Sequence, residues 1–258
     1  MLRKLSVVIL GIAVIFLVTA SSHAFRDDIV AAWTMNEGSG DVIHDVSGNG
    51  NDATLSGGVE WSDGKSGKAL SFDGSSGYIE IPFGESMKLI NQGGFTLAAW
   101  IMTPDANAND MAVFQQLDSN GTGRTWLEVV GSEIKSYLGG GSTLSGIQVA
   151  AGEWYHVAVV VTEGGASDTV QLYVNGEPAG DPSVRSMEDS EGNFLISRYK
   201  GQSGFWHGLI DDVVLIGKAL SADDLSDLMT NGVVIEAFVE PSDRLAVSWG
   251  SVKGGTRP

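Results

Sequence analysis

Short apolar runs of period two fill residues 29–216, and clusters of Gly, Asn, Asp or Ser close them. That pattern reads as strands joined by tight turns. The densest stretch is 153–180. There Trp154, His156, Ala158 and Val160 alternate with Tyr155, Val157, Val159 and Val161, and both sets are largely apolar. Gly164-Gly165-Ala166-Ser167 breaks the run, and Val170, Leu172 and Val174 begin a second one. Asn175-Gly176 closes it with two residues that tolerate positive φ, a strong hairpin signal. A strand apolar on both faces implies two stacked sheets, so the pattern predicts an all-β sandwich with this pair at its centre.

Further strands are expected at 29–35, 42–46, 69–72, 78–81, 95–102, 111–116, 125–130, 134–138, 194–197 and 209–216. Polar loops are expected at 103–110 and at Gly139-Gly140-Gly141-Ser142. One helix is predicted. Ser221 is a good N-cap with Asp224 three residues on, Leu225, Leu228 and Met229 form an apolar stripe, and Asn231-Gly232 ends it. It reads as a cap on one end of the sandwich. Beyond it, 233–239 and 245–249 resemble two strands, so 233–258 is a C-terminal extension, either a hairpin or a linker.

The first 24 residues stand apart. Arg3-Lys4 precede an apolar run over 5–20, and Ser22-His23-Ala24 fits a small-x-small cleavage site. Such a run spans roughly 24 Å as a helix, short of the ~30 Å hydrocarbon core. Residues 1–24 therefore read as a signal peptide, giving a secreted, periplasmic or cell-surface protein with no membrane contact after cleavage; an uncleaved anchor is the alternative. The domain itself would run over 25–232. Cysteine is absent, which excludes disulfides and thiolate metal sites. Removing Arg3 and Lys4 takes the formal charge from −17 to about −19. A charge this negative opposes nucleic acid, anionic lipid and sulfated polysaccharide, and leaves neutral glycans, proteins and divalent cations as partners.

Six motifs in order point to a family. They are Ala32-Trp33-Thr34-Met35-Asn36-Glu37-Gly38-Ser39-Gly40, Asp45-Val46-Ser47-Gly48-Asn49-Gly50-Asn51-Asp52-Ala53 and Gly67-Lys68-Ala69-Leu70-Ser71-Phe72-Asp73-Gly74. Phe95-Thr96-Leu97-Ala98-Ala99-Trp100 follows, then Trp154–Ala158 with Leu172-Tyr173-Val174-Asn175-Gly176. Gly208-Leu209-Ile210-Asp211-Asp212-Val213 with Lys218-Ala219-Leu220-Ser221 is the last. Over 30–230 the chain resembles the laminin-G-like, concanavalin A-like (pentraxin-related) jelly-roll domains of secreted bacterial proteins. The resemblance implies a two-sheet antiparallel jelly roll with one short C-terminal helix.

It also implies structural Ca²⁺ held by some of Asp45, Asn49, Asn51 and Asp211, since an acidic loop rich in Asp, Asn and Gly supplies oxygen ligands. The competing reading is an Asx-turn network in which Asp45 and Asn49 bond their own backbone. Asp73 reads as a turn residue. Concanavalin-like glucanases carry a Glu-x-Asp-x-x-Glu strand. Glu128 and Glu133 have the outer spacing, but Val130 replaces the middle acid and Gly131-Ser132 reads as a turn. His44, His156 and His207 lack neighbouring nucleophiles. No phosphate-binding loop or cofactor fingerprint is visible. Aromatic faces stack on sugars, so Trp126, Tyr137, Tyr199 and Trp206, which flank turns, are the candidate ligand-binding rings, with Arg124, Arg198 and Lys200 as donors beside them. Trp33, Trp100 and Trp154 are expected in the core. The sequence thus reads as a non-catalytic binding module for a carbohydrate or an extracellular protein surface. The alternatives are a glycoside hydrolase or lyase on the same scaffold, and a structural or adhesive surface protein.

Overall fold

The computed structural model describes residues 25–89, 93–105, 110–117, 123–187, 190–199 and 201–233. The expected signal peptide and all but the first residue of the C-terminal extension lie outside them. In chain order the strands are β1 (Ile29–Trp33), β2 (Val42–Ile43), β3 (Ala53–Ser56), β4 (Val59–Asp63), β5 (Lys68–Asp73), β6 (Tyr78–Ile81), β7 (Phe95–Met102) and β8 (Met111–Leu117). Then come β9 (Gly123–Val130), β10 (Glu133–Leu138), β11 (Gly141–Gln148), β12 (Tyr155–Thr162), β13 (Asp168–Val174), β14 (Glu177–Arg185), β15 (Phe194–Ile196), β16 (His207–Ile216) and helix α1 (Ala222–Asn231).

They form two antiparallel sheets of eight strands. The first runs β14-β13-β12-β7-β16-β5-β4, with β1 also paired to β16; the second runs β11-β10-β9-β8-β15-β6-β3-β2. The chain is a jelly-roll-like β-sandwich. Between the sheets lies the main core, where Phe114 and Trp126 meet Phe95 and Phe194 at ring-centroid distances of 4.7–5.7 Å. No helix among the described residues is long and apolar enough to cross a membrane.

Strand β12 is paired to β7 and β13, but β7 is the middle of the path and β13 lies next to the edge strand β14, so the pair expected at the centre sits to one side of it. Val157, Val159 and Val161 face the main core, while Ala158 and Val160 join Ala98, Val214, Phe25, Leu225 and Leu228 on the opposite face. Only one face of β12 therefore meets a second sheet; α1 and Phe25 cover the other. The helix lies on a sheet face, not on one end of the sandwich, which corrects the expectation. Its capping box is present: the Ser221 hydroxyl accepts from Asp224 N–H at 3.1 Å, and the Asp224 carboxylate accepts from Ser221 N–H at 3.1 Å.

Candidate binding cleft

The two long edges of the sandwich differ. At one, β11 and β14 close on each other: the Thr143 and Ser183 hydroxyls are in contact, and Arg185 Nη2 donates to Ser142 O at 2.9 Å. Gly180 permits this approach, because a Cβ there would sit 1.9 Å from Leu144 O. At the other edge, β4 and β2–β3 stand apart and leave a cleft of about 500 Å³.

Three side chains form its apolar lining. Val59 and Trp61 lie opposite Phe72 and Leu70, and Leu55 lies opposite Ile79; those partners belong to the main core. Residues directly opposite share a sheet face, so all three face the space between the sheets. The cleft is the unsealed mouth of that space. Ser39, Asp41 and Ser56 supply polar groups at its rim.

The lining is held in place. Trp61 Nε1 donates to Gly40 O at 3.1 Å, which ties the indole of one sheet to the turn leading into the other. Leu55 N donates to Asp41 O at 2.8 Å. The neighbouring Gly57-Gly58 turn is fixed through Ser76, whose hydroxyl accepts from Gly58 N–H at 3.0 Å and donates to Asp73 Oδ2 at 2.7 Å. Asp73 is the hub of this loop, accepting the N–H groups of Ser75, Ser76 and Gly77 at 2.8–3.0 Å. Burial pushes its carboxyl up, but the N–H groups of Ser76, Gly77 and Ser75 outweigh that and hold it well below the usual carboxylate range. Asp73 is a turn residue, as the sequence reads.

The four calcium candidates do not form one donor set. Asp45 Oδ1 accepts from Ala32 and Ser47 N–H at 2.9 and 3.0 Å, and Oδ2 accepts from the Asn51 N–H and side-chain amide, both at 3.0 Å. A carboxylate offers about four lone-pair sites, and all are taken. Asn49 Nδ2 donates to Val30 O at 3.0 Å, and Asn51 Oδ1 accepts from Ser86 at 3.1 Å. Asp211 lies on β16 with its own donors, Lys65 N at 2.9 Å and Asp212 N at 2.9 Å. Among the described residues no three His, Asp or Glu side chains are grouped to hold a metal ion. In this structure Asp45 makes the Asx-type bond to Ser47 N–H, while the Asn49 amide reaches the β1 carbonyls of Ile29 and Val30 and does not bond its own backbone.

Two of the four candidate rings are corrected. Trp126 is 2% exposed and Trp206 0%, and both belong to the main core. Trp126 flanks a turn in sequence but faces inward among Phe95, Phe114 and Phe194. Tyr199 is half-buried and donates its hydroxyl to Glu128 Oε2 at 2.8 Å. Burial pushes Glu128 up despite that bond, and burial together with the Glu128 charge pushes the Tyr199 phenol up. Tyr137 is exposed and lines a second hollow of about 270 Å³ with Arg124, Gly139, Gly140 and Ser186.

The paired acids are engaged: Glu128 with Tyr199, Glu133 with Gly146 N–H at 2.9 Å and with Lys135 at 3.9 Å. His44 and His207 form exposed pairs with Asp52 and Asp105 at 3.1 and 2.7 Å. His156 packs edge-on against Trp100 at 5.2 Å, and burial pushes it down to about 4. Trp33 is core and Trp100 is buried, while Trp154 is half-buried. Sequence reasoning missed Trp61. The signal was the alternation Val59-Glu60-Trp61-Ser62, short but of period two.

The Laminin_G_3 family model, described as the concanavalin A-like lectin/glucanases superfamily, matches residues 73–226. The chain belongs to this superfamily. Among solved structures it is similar to the binding domain of Paraclostridial Mosquitocidal Protein 1, with a TM-score of 0.62 and 18% identity over 80% of this chain and 53% of that one. It is similar to domain 4 of a GH43 extracellular arabinanase from Geobacillus stearothermophilus, solved with arabinotriose, with a TM-score of 0.59 and 18% identity over 78% and 98%. It is also similar to the binding domain of botulinum neurotoxin DC in complex with rat synaptotagmin II, with a TM-score of 0.61 and 14% identity over 81% and 52%. The chain spans about half the length of those toxin domains. At these identities the likeness is one of fold. No protein of curated function matches the sequence.

Proposed function

We propose that this protein is an exported, non-catalytic binding module that recognises a neutral carbohydrate in the Trp61 cleft. The observation that carries the reading is the cleft itself: an indole anchored by its N–H, an aliphatic floor from Leu55 and Val59, and Asp41, Ser39 and Ser56 at the rim. Sugar rings ask for that combination, an aromatic face for their C–H surface and fixed polar groups for their hydroxyls. The charge of −17 disfavours polyanions, which points to a neutral glycan. The arabinanase domain solved with arabinotriose is almost wholly covered by this chain, which supports the carbohydrate class over a protein partner. The leader-like residues 1–24 and the extracellular arabinanase relative support export. Binding without hydrolysis fits the engagement of Glu128 and Glu133 in fold-internal bonds.

Pull-down on a panel of neutral polysaccharides, including arabinan, tests this. Wild type is retained on at least one of them without releasing reducing sugar, and Trp61→Ala is washed off. Equal retention of Trp61→Ala would move the site elsewhere. Sugar release abolished by Glu128→Gln would establish the hydrolase reading instead.

A further inference from the structure

We infer, resting on the carbohydrate-binding reading, that the Trp61 cleft receives the terminal residue of a neutral glycan or a single-sugar branch, and not the interior of a continuous chain. A groove that holds the interior of a polysaccharide needs two open ends, one for each neighbouring residue. This cleft is closed by the protein on several sides.

The chain itself shuts one end. Gly57-Gly58 carries it directly from β3 in one sheet to β4 in the other. Three Cα steps separate Ser56 from Val59, so the two walls stand no more than about 11 Å apart there. The 73–77 loop backs this crossover. A Cβ at Gly57 would collide with Ser76 O and one at Gly58 with the Asp73 carboxylate, while Asp73 N donates to Gly58 O at 3.1 Å. No passage is left on that side. Inward, the cleft ends on Leu70, Phe72 and Ile79 of the main core. The bond from Trp61 Nε1 to Gly40 O is a further strap, joining the edge of one sheet to the turn that enters the other.

What remains is short. Strand β4 lines it only with Val59 and Trp61, two residues apart, and β3 only with Leu55 and Ser56. Two residues advance a strand by about 7 Å, which suits the end of a glycan and not a run of its units. The rim can read such an end. Each end of a glycan carries a hydroxyl that glycosidic linkage removes everywhere else. Asp41 is exposed and serves the fold through its backbone carbonyl, which accepts from Leu55 N–H at 2.8 Å. Its carboxylate has no partner among the described residues, and neither do the Ser39 and Ser56 hydroxyls. An ionised carboxylate accepts from two hydroxyls at once. A site that bonds a particular hydroxyl rejects a ligand lacking it far more strongly than an apolar contact does.

The test is an NMR titration of the ¹⁵N-labelled protein with linear arabino-, xylo-, manno- and gluco-oligosaccharides, from disaccharide to hexasaccharide, read at the Trp61 indole N–H. In a series that shifts this resonance, the dissociation constant per molecule is expected to be the same for trisaccharide and hexasaccharide, since every linear chain has one end of each kind. Borohydride reduction alters the reducing end, and a methyl ether on the free linkage hydroxyl alters the other. One of the two should weaken binding by at least about tenfold, and the other should leave it unchanged. Asp41→Ala should weaken the trisaccharide by about tenfold at an unchanged melting temperature, through loss of hydrogen bonds to a charged group. Affinity that climbs with chain length, a chain blocked at both ends that still shifts Trp61, or wild-type affinity in Asp41→Ala would each overturn the chain-end assignment while the carbohydrate reading stands. A Trp61 indole that no series moves at millimolar concentration would overturn that reading, and the assignment with it.

Discussion

Asp212→Asn should stabilise the protein, and more so at higher pH. Asp211 and Asp212 are adjacent on β16 where its register with β7 shifts, and Asp212 has φ 47°. Asp211 keeps three N–H partners on its carboxylate. Asp212 instead faces a hollow of about 240 Å³ lined by Lys65, Trp100 and the end of α1. Burial, and then the Asp211 charge, push Asp212 up to about 7. An unfolded aspartate sits near ~3.9, and each unit of difference is about 1.4 kcal/mol, so the charged form costs the fold at most about 4 kcal/mol. Solvent in the hollow and coupling to Asp211 reduce this to about 2 kcal/mol. The folded value is raised, so the penalty is absent below about pH 4, grows through the interval up to about 7 and is complete above it. Asparagine keeps the shape and tolerates the left-handed backbone. Urea unfolding at pH 4 and pH 8 measures the effect. The variant should match wild type at pH 4 and exceed it by about 2 kcal/mol at pH 8, raising the melting temperature by about 4–8 °C. Burial also pushes Asp211 up, to about 6, so Asp211→Asn should show the same relief at high pH but a smaller net gain, because its amide NH₂ would confront a backbone N–H at one of the two oxygen positions. A lower melting temperature for Asp212→Asn at pH 8 would refute the reasoning and reveal a cation paired with that carboxylate.

Three further outcomes follow from the hydrogen-bond hubs. Asp73→Ala should cost about 1 kcal/mol, since its bonds are strong but exposed; its folded carboxyl is depressed, so the loss should be full above about pH 4 and vanish as pH falls below that, checked by unfolding at both ends of the range. Asp45→Ala should cost about 3 kcal/mol in denaturant melts, because buried N–H groups of Ala32 and Asn51 lose their acceptor, and the wild-type melting temperature should be the same in EDTA and in CaCl₂. Ser221→Ala should lower stability by about 1 kcal/mol through loss of the capping box, read from thermal melts.

Fold was far more legible than site. The β12–β13 pair announced itself because every residue from Val157 to Val161 is buried, and the Asn175-Gly176 turn has one geometry it fits best. Why both faces of β12 are apolar could not be read locally, since the cover on its outer face comes from Phe25 and α1, far away in sequence. The predicted strand at 42–46 stops at Ile43 because the next N–H groups leave the ladder: His44 N–H goes to the Glu37 carboxylate, Asp45 N–H to the Asp52 carboxylate and Val46 N–H to Ala32 O. Strands β4, β11 and β14 stand at sheet edges and β3 stands next to one; all four escaped notice because they are short, glycine-bearing or half-polar. The site was missed for the same reason. A turn-flanking tryptophan is a fair candidate for exposure, yet inward facing decides burial, and it places Trp126 and Trp206 in the core while leaving Trp61 at an open edge.

On the proposed function, a neutral glycan lies against Trp61. The most direct test is the Trp61 Nε1–H resonance, assigned by its loss in Trp61→Phe, followed as a retained neutral oligosaccharide is added. A saturable shift of that signal is expected at the concentrations that elute the protein from the polysaccharide. Binding that leaves the Trp61 resonance in place would contradict it.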